Sequence, residues 1–249
     1  MNTTIISDPK RTECAFYHVI DLPGETPTPG QWDFRKTESE YHGGFKFKGK
    51  TVLEIGSATG SHAFWMEREG AHVTPYDLSP RHSWDIMPTS DQDAGQVERT
   101  MRSVIGRLNN GWYYCRNRLK SKLELAFGSI YDIPQELGDF DVITFGSVLL
   151  HTRNPVGALQ SAADRAKEAI IITDRLPPDL DMKRPLMEFM PKKERAKDFG
   201  GWTWWWISPK VFENMLRLRG FQNFQVTISK HFFVPINKKI ELFTLIAKR

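Results

Sequence analysis

A strand, a turn of small residues and a carboxylate follow one another between Thr51 and Asp77. The apolar run T-V-L-E-I stops at Gly56, which predicts a buried strand that ends in a turn. Residues 56–60 of this turn are small, so the backbone can pass close to a ligand, and the next helix would aim its free N–H groups there. A second predicted strand, 72–76, places Asp77 where a ribose diol lies across the tips of two parallel strands. The stretch therefore predicts a nucleoside pocket in an α/β fold.

The glycine spacing of this turn narrows the choice of nucleoside. A dinucleotide-binding turn follows the pattern G-x-G-x-x-G, whereas here Ala58 replaces the second glycine and Gly60 is the one glycine that follows. The stretch instead resembles motif I of the class I S-adenosylmethionine-dependent methyltransferases, with Asp77 as the acid of the second motif. An ordinary strand, turn and helix of another α/β protein is the alternative. The resemblance implies that the cofactor S-adenosyl-L-methionine binds at Glu54, Gly56, Ser57, Ala58, Gly60 and Asp77.

Composition limits the number of domains, the cellular location and the kinds of partner that we expect for this chain. A chain of 249 residues with 40% hydrophobic residues can bury a sizeable core as one large domain or two small ones. We expect no membrane partner and no signal peptide, because no apolar run approaches the roughly 18 residues of a membrane span. Two cysteines, Cys14 and Cys115, are too few for a disulfide scaffold or a cysteine zinc site, so we expect a cytoplasmic protein without a metal site. A net charge of +4 permits a nucleic-acid partner without requiring one.

The first 48 residues are predicted to form a cap. A stretch rich in proline and glycine precedes the sequence W-D-F-R, which begins at Trp32. In the methyltransferases that this chain resembles, a short N-terminal segment folds over the cofactor, which implies that Trp32 and Arg35 flank its sulfonium or carboxylate. Tyr17 and His18 would line the same lid and bind substrate. The alternative is that Trp32 is buried at the start of a surface helix and that Tyr17 and His18 are core residues.

Residues 80–122 are predicted to be an insertion. Apolar residues at helical spacing predict a helix from Ala94 to Leu108, closed by the turn-forming sequence Asn109–Gly111, and a second helical piece follows. That piece carries a basic cluster beside three aromatic residues, which could bind the phosphates of RNA. A solvated helix face is the favoured interpretation. The basic cluster consists of Arg116, Arg118, Lys120 and Lys122.

The third predicted strand, Leu123–Phe127, leads to the proposed adenine site. In the family that this chain resembles, the residues after this strand cover the adenine, commonly with an acid. Here Ser129 holds that position, with Ile130 and Tyr131 beside it, so the resemblance implies that these three residues bind the cofactor.

The fourth predicted strand begins at Phe140 and ends at Gly146 and Ser147, on the edge where open α/β sheets bind ligands. His151 follows and could act as a general base or orient the substrate, although a structural histidine is the alternative. The sequence V-L-L-H-T-R-N-P, with W-D-F-R, resembles the branch that includes the tRNA wobble-uridine carboxymethyltransferases. Those enzymes have a tyrosine where this chain has Leu150, which favours ordinary S-adenosylmethionine and makes a tRNA acceptor less favoured.

Residues 176–206 form a second predicted insertion, rich in tryptophan near its end. Long insertions are commonly lids or binding loops, and tryptophan rings can wall a pocket and contact a cation. Trp202, Trp204 and Trp205 are therefore candidate substrate-binding residues, with packing under a loop as the alternative. Two β-rich runs at the end of the chain predict an antiparallel hairpin.

These patterns together predict an α/β protein with the Rossmann-like, seven-stranded sheet of class I methyltransferases. The predicted division is an N-terminal cap at 1–48 and a methyltransferase domain at 49–249 that carries the two insertions. The expected function is methyl transfer from S-adenosylmethionine to a small-molecule acceptor. An RNA-modifying methyltransferase and a non-catalytic S-adenosylmethionine-binding protein are the alternatives. Nothing in the sequence indicates an oligomeric state.

Overall fold

The computed structural model of the protein describes residues 6–177, 179–191 and 203–249. The strands in these ranges are β1 (Trp32–Asp33), β2 (Thr51–Ile55), β3 (His72–Asp77), β4 (Ala126–Phe127), β5 (Phe140–Gly146), β6 (Ala166–Arg175), β7 (Met187–Phe189), β8 (Trp205–Ile207), β9 (Asn223–Phe233) and β10 (Lys238–Lys248). The α-helices are α1 (Glu38–Tyr41), α2 (Ser61–Arg68), α3 (Ala94–Leu119), α4 (Pro155–Ala163) and α5 (Pro209–Leu218).

The main sheet has eight strands in the order β1-β9-β10-β6-β5-β2-β3-β4. Strands β2 to β6 pair in parallel, and β9 and β10 form the predicted antiparallel hairpin. The seven predicted strands are present and confirm the Rossmann-like class I fold, although β4 is shorter than the predicted Leu123–Phe127. The eighth strand, β1, is a correction: the N-terminal segment, expected to lie outside the sheet, pairs Trp32 with Phe233. It does so because edge strand β9 has backbone groups that need partners.

The central strands are buried on both faces, as parallel strands rich in Val, Ile and Leu require. Val52, Leu53 and Ile143 have no exposed surface. Helices α4 and α5 pack on one face, and α2 and α3 pack on the other. This arrangement leaves the carboxyl ends of β2 to β6 together at one edge of the sheet, where the turn after β2 lies.

The prediction that the first helix of the insertion stops at Asn109 is wrong, since α3 continues to Leu119. The polar residues inside it bind neighbouring segments and do not cap the helix. Asn109 donates to a carbonyl of the loop after β3, and Asn110 bridges two backbone groups of the N-terminal segment. A Cβ on Gly111 would lie 2.2 Å from a backbone oxygen of that same segment. Close packing therefore requires the glycine, and the helix ends only where Lys120 turns left-handed.

The second insertion contains β7 and β8, which form a two-stranded antiparallel sheet of their own. The predicted substrate-binding residue Trp202 lies outside the described residues. Within the three described ranges, no helix combines the length and the apolar character needed to cross a membrane.

Candidate active site

The turn after β2 is tightly folded and is fastened to the neighbouring strand. Gly56 and Gly60 adopt left-handed φ angles of +82° and +84°, and Ala58 adopts +48°. A Cβ on Gly56 would lie 2.3 Å from the Val148 side chain, so a close approach requires glycine there. The Ala58 N–H donates to Asp77 Oδ2 at 2.7 Å. The small-residue turn and the predicted ribose carboxylate are thus in direct contact.

Asp77 ends β3 and accepts two backbone hydrogen bonds. Its Oδ1 accepts from the Leu78 N–H at 2.7 Å, and its Oδ2 accepts from Ala58. Burial raises the pKa of this carboxyl, and the two amides oppose the rise. Each oxygen keeps a second lone pair that a ligand hydroxyl can use.

A narrow cavity lies between the N-terminal segment and the carboxyl ends of β2, β5 and β6. Its volume is about 30 Å³, enough for one or two water molecules. The cavity brings together many residues that the sequence predicted as site residues and several that it did not. The predicted ones are Tyr17, His18, Trp32, Glu54, Gly56, Ala58, Gly146 and Ser147, and the others are Phe34, Tyr41, His42, His62, Thr144, Phe145, Ile171 and Thr173.

Glu54 is the one acidic or basic residue among those that line the cavity, apart from the histidines. It is 4% exposed, and its Oε2 has no hydrogen-bond partner among the described residues. Burial raises the pKa of Glu54 to about 7, and a hydrogen bond from Ser57 opposes that rise. A buried carboxyl oxygen that remains unpaired at a ligand edge is typical of a binding site.

Four buried histidines surround the aromatic side of the cavity: His18, His42, His62 and His231, here called the histidine cluster. His62 stacks on Tyr41 with ring centroids 4.0 Å apart. Both ring nitrogens of His42 and of His62 lack hydrogen-bond partners in the described part of the chain. Burial lowers the pKa of His18 and His42 to about 3 and that of His231 to about 4, and it also holds the pKa of His62 well below the usual value. These rings are therefore neutral at pH 7.

Arg35, predicted to flank the cofactor, does not line the cavity. Its guanidinium donates to Asp33 at 2.6 Å and to Asp21 at 2.5 Å on the outer side of the N-terminal segment. Two other predicted residues, Ser57 and Gly60, hold the turn in place and do not line the cavity. Ser57 Oγ accepts from the Trp112 indole at 3.2 Å, and Gly60 caps α2.

The three predicted adenine residues lie beside Asp77 and outside the cavity. They follow β4, and the intervening Gly128 donates its N–H to the Asp77 carbonyl at 3.1 Å. The Ser129 carbonyl accepts from a tyrosine of β3, the Ile130 carbonyl accepts from a serine of α4, and the Tyr131 hydroxyl contacts a carboxylate of the first insertion. The carboxyl ends of β4, β3, β2 and β5 thus present the predicted cofactor residues in one row.

Three other predicted residues do not line the cavity: His151, predicted for catalysis, and Trp204 and Trp205, predicted for substrate binding. His151 ends the short helical turn Leu149–His151 and is half-buried. Trp204 is 5% exposed and donates its indole N–H to the Asp85 carbonyl at 2.7 Å. Trp205 donates to the Thr152 carbonyl at 3.0 Å. Both tryptophans pack the second insertion against neighbouring loops, so their role in substrate binding stays a prediction.

The basic cluster of α3 is partly neutralised. The Arg116 guanidinium donates to the Leu123 carbonyl at 2.6 Å and contacts Glu124. Arg118 donates to Glu25 at 2.7 Å. This face therefore offers less positive charge to a phosphate backbone than its sequence indicates.

The sequence contained weak signals for some of the cavity residues that were missed. Thr144 and Thr173 are polar residues near the ends of apolar strands, and His62 lies in the first turn of the helix that follows the small-residue turn. His42 has no such signal, because its ring contacts His62 and Trp65 of α2 only in the folded chain.

Comparisons with known proteins agree with this geometry. The family model described as a methyltransferase domain matches residues 33–226. A search among curated proteins finds no match.

Solved structures with a similar fold include the three proteins that follow, all at low sequence identity. Magnesium protoporphyrin IX methyltransferase from Synechocystis PCC 6803 with bound SAH is 15% identical over 82% of this chain and 75% of that one, with a TM-score of 0.53. The N-terminal domain of EvdMO1 in the presence of SAH and D-fucose is 14% identical over 96% and 93%, with a TM-score of 0.54. An S-adenosylmethionine-dependent methyltransferase from Mesorhizobium loti is 11% identical over 87% and 100%, with a TM-score of 0.54.

At these identities the structural likeness concerns the fold, and the family assignment rests on the sequence model. Together they confirm the predicted S-adenosylmethionine-dependent methyltransferase at the level of family and fold. The chain belongs to the methyltransferase domain family.

Proposed function

We propose that this protein transfers the methyl group of S-adenosylmethionine to a small-molecule acceptor. The observation that carries the proposal is the cavity at the ends of β2, β5 and β6, where the buried carboxyl of Glu54 has an unpaired oxygen. The donor carries a sulfonium and an ammonium group, and a buried carboxylate favours both cations. The structures of methyltransferases with bound SAH and the sequence motif support the same donor.

The residues present fit the donor in three respects. Asp77 has lone pairs available for a ribose diol, and Glu54 supplies negative charge on the same side of the turn. At Gly146 a Cβ would lie 2.6 Å from the Tyr41 hydroxyl, so the backbone can be approached closely only because the residue is glycine. When bound, the sulfonium supplies an electrophilic methyl group, and the protein must mainly align the acceptor with it.

The size of the cavity indicates that the N-terminal segment moves. Small-molecule sites commonly measure about 300–1,000 Å³, whereas this cavity measures about 30 Å³. The side chains of Tyr17 and His18 line it on the N-terminal side. Donor binding therefore displaces this segment, and an acceptor enters a site enclosed by aromatic rings. Such enclosure favours a small molecule over a folded RNA.

The function is tested with donor labelled by deuterium in its methyl group. We expect calorimetry to detect binding of S-adenosylmethionine and of its demethylated product. Incubation with a filtered cell extract should then produce deuterated small molecules, identified by mass spectrometry. Label in the RNA fraction alone, or in no product, would contradict a small-molecule acceptor.

Asp77→Ala should weaken donor binding by about 100-fold, because the variant loses two acceptor oxygens for ribose and the bond that fixes the Ala58 amide. Calorimetric titration with S-adenosylmethionine measures this change. Asp139→Ala, an exposed aspartate before β5, is the control and should bind the donor normally. Equal affinity of Asp77→Ala and the unmodified protein would remove Asp77 from the donor site.

RNA remains the second candidate acceptor, supported by the resemblance of V-L-L-H-T-R-N-P to the wobble-uridine carboxymethyltransferases. The ion pairs of Arg116 and Arg118 argue against it. Retention of tRNA that weakens steeply with salt would favour the RNA acceptor, because phosphate contacts release counterions.

A further inference from the structure

His62 is a buried histidine of the cavity lining whose two ring nitrogens bind nothing within the described fold. It lies in the first turn of α2, two residues after Gly60 of the small-residue turn. It is 5% exposed, and in the three described ranges neither ring nitrogen has a hydrogen-bond partner. Burying polar atoms without partners destabilises a fold. Packing therefore does not explain a histidine at this position, whereas a polar ligand in the cavity does.

The ring of His62 lies among other rings of the cavity. It contacts four of them, with ring centroids 4.0–5.3 Å apart. His62 and these four residues all line the cavity, so a ligand that fills it meets His62 directly. The four are Phe34, Tyr41, His18 and His42.

The two other histidines of the lining are placed differently. His18 Nδ1 lies 3.3 Å from the Thr59 hydroxyl, so it has a partner within the protein. The nitrogens of His42 are unpaired in the described part of the chain, but its ring stacks on Trp65 with centroids 5.2 Å apart. Trp65 does not belong to the cavity lining. His62 thus combines unpaired nitrogens with ring neighbours that all line the cavity.

The donor brings a carboxylate that needs hydrogen-bond donors. Its amino-acid end also carries an ammonium, for which Glu54 supplies negative charge. Arg35, which the resemblance implies for the carboxylate or the sulfonium, instead pairs with Asp33 and Asp21 on the outer side of the N-terminal segment. Neither lysine nor arginine occurs among the described residues that line the cavity. The carboxylate must therefore be bound by groups without a permanent positive charge.

Some of the other donors in the lining already have partners. The Trp32 indole is hydrogen-bonded to the Tyr17 hydroxyl, and the Thr173 hydroxyl donates to the Tyr41 carbonyl at 2.6 Å. A neutral imidazole carries one N–H and one lone pair. Burial holds the pKa of His62 well below its usual value, so the ring is neutral at pH 7 and has one N–H to donate.

We propose that His62 binds the carboxylate of S-adenosylmethionine by donating a ring N–H to one of its oxygens. The inference rests on the proposed function and adds a donor-binding residue to it. A hydrogen bond to a charged oxygen is stronger than one between neutral groups. Glu54 and His62 then hold the two charged groups at the amino-acid end of the donor, which fixes the direction of its sulfonium.

This pairing makes the site selective for a donor that has a carboxylate. In the ligand-free protein the N–H of His62 is buried without a partner, and the carboxylate supplies that partner on binding. A donor that lacks the carboxylate leaves the N–H unpaired. Sites built to hydrogen-bond a ligand group reject analogues without that group for this reason. His62 is thus a specificity-determining residue of the donor site.

The test compares two donors that differ by the carboxylate alone, S-adenosylmethionine and its decarboxylated form. Calorimetry gives a dissociation constant for each, and neither measurement requires turnover. The constant of the decarboxylated donor, divided by that of S-adenosylmethionine, measures the preference for the carboxylate. We expect this ratio to be about 10–100-fold smaller in His62→Phe than in the unmodified protein, because one hydrogen bond to a charged group is lost. Affinity for the decarboxylated donor should stay close to that of the unmodified protein.

Two further variants separate this role from a structural one. His62→Gln keeps an N–H donor, so its ratio should lie between those of His62→Phe and the unmodified protein. His72→Gln, at an exposed position of β3, should keep the ratio of the unmodified protein. A purely structural role of His62 would weaken the binding of both donors alike and leave the ratio unchanged.

The outcomes distinguish the two proposals. A ratio in His62→Phe equal to that of the unmodified protein would overturn the role of His62 while leaving the methyltransferase intact. A smaller ratio without any labelled small-molecule product would support His62 and overturn the proposed acceptor. Failure of the unmodified protein to bind either donor would overturn the proposed function, and this inference with it.

Discussion

His62→Phe is expected to stabilise the protein at pH 7 by about 1–3 kcal/mol, because it removes the penalty of burying a polar group without a hydrogen-bond partner. His62 is 5% exposed, and neither ring nitrogen has a hydrogen-bond partner in the described ranges. Phenylalanine keeps the stacking on Tyr41 and removes the unpaired nitrogens. Urea unfolding at pH 7 measures the change in the free energy of unfolding. A destabilised variant would show that the ring nitrogens have partners when the protein is in solution.

The same substitution should also reduce the sensitivity of the protein to acid. The histidine cluster has native pKa values below the usual 6.5, so below pH 6.5 the unfolded chain binds protons that the native state does not. Stability then falls as the pH falls, by up to about 1.4 kcal/mol per pH unit for each ring. Glu54 and Asp174 have raised pKa values of about 7 and act in the opposite direction, losing stability as the pH rises from about 4 to 7.

Acidification below pH 6.5 therefore costs stability through the histidines, and the carboxyls whose pKa is raised, which include Asp77 and Glu38 besides Glu54 and Asp174, offset part of that cost. Unfolding curves at pH 5, 6 and 7 should give a smaller slope for His62→Phe than for the unmodified protein. His72→Gln, at an exposed position, is the control and should leave the slope unchanged. Equal slopes for all three proteins would contradict neutral histidines in the native state.

Trp112→Ala should destabilise the protein by about 3–5 kcal/mol, the usual cost of removing a buried tryptophan. The ring has no exposed surface and packs against Phe64 with centroids 5.5 Å apart. Its indole N–H donates to Ser57 Oγ, and a Cβ on Gly60 would lie 2.8 Å from the indole nitrogen. The cavity left by alanine therefore lies directly under the turn that we propose binds the donor.

Urea unfolding measures the stability of Trp112→Ala, and calorimetry should show weaker S-adenosylmethionine binding. Trp112→Phe is the matched control, since it keeps most of the ring volume and loses only the hydrogen bond, which contributes about 1 kcal/mol. Loss of stability in Trp112→Ala with unchanged donor affinity would show that α3 supports the fold and not the turn.

The parts of the fold that were predictable are those specified by local chemistry. The apolar run before Gly56 and the acid at Asp77 each mark the end of a strand, and both were placed correctly. The prediction failed at Asn109–Gly111, because an Asn-Asn-Gly sequence forms a helix cap or a tight contact equally well. Which of these occurs depends on the N-terminal segment, about 100 residues away in sequence, that packs on it.

The residues of the predicted donor site could be found from the sequence, whereas the histidine cluster on the aromatic side of the cavity could not. Motif spacing indicates Glu54 and Gly56, since the predicted donor site is built on one contiguous stretch of sequence. The histidine cluster has no local pattern: His231 joins it only because Tyr41 of α1 packs against β9, with the two ring centroids 5.5 Å apart.

The N-terminal segment is tied down at both ends. Asn110 holds one end on α3, and β1 holds the other through its pairing with Phe232 and Phe233. A chain tethered in this way can bow outward as an arch and return without searching for its place, since most of its closure entropy is already lost. We therefore expect ligand to enter when this segment moves outward and water to be excluded when it returns, so that the rate of this movement limits how fast the site can be refilled.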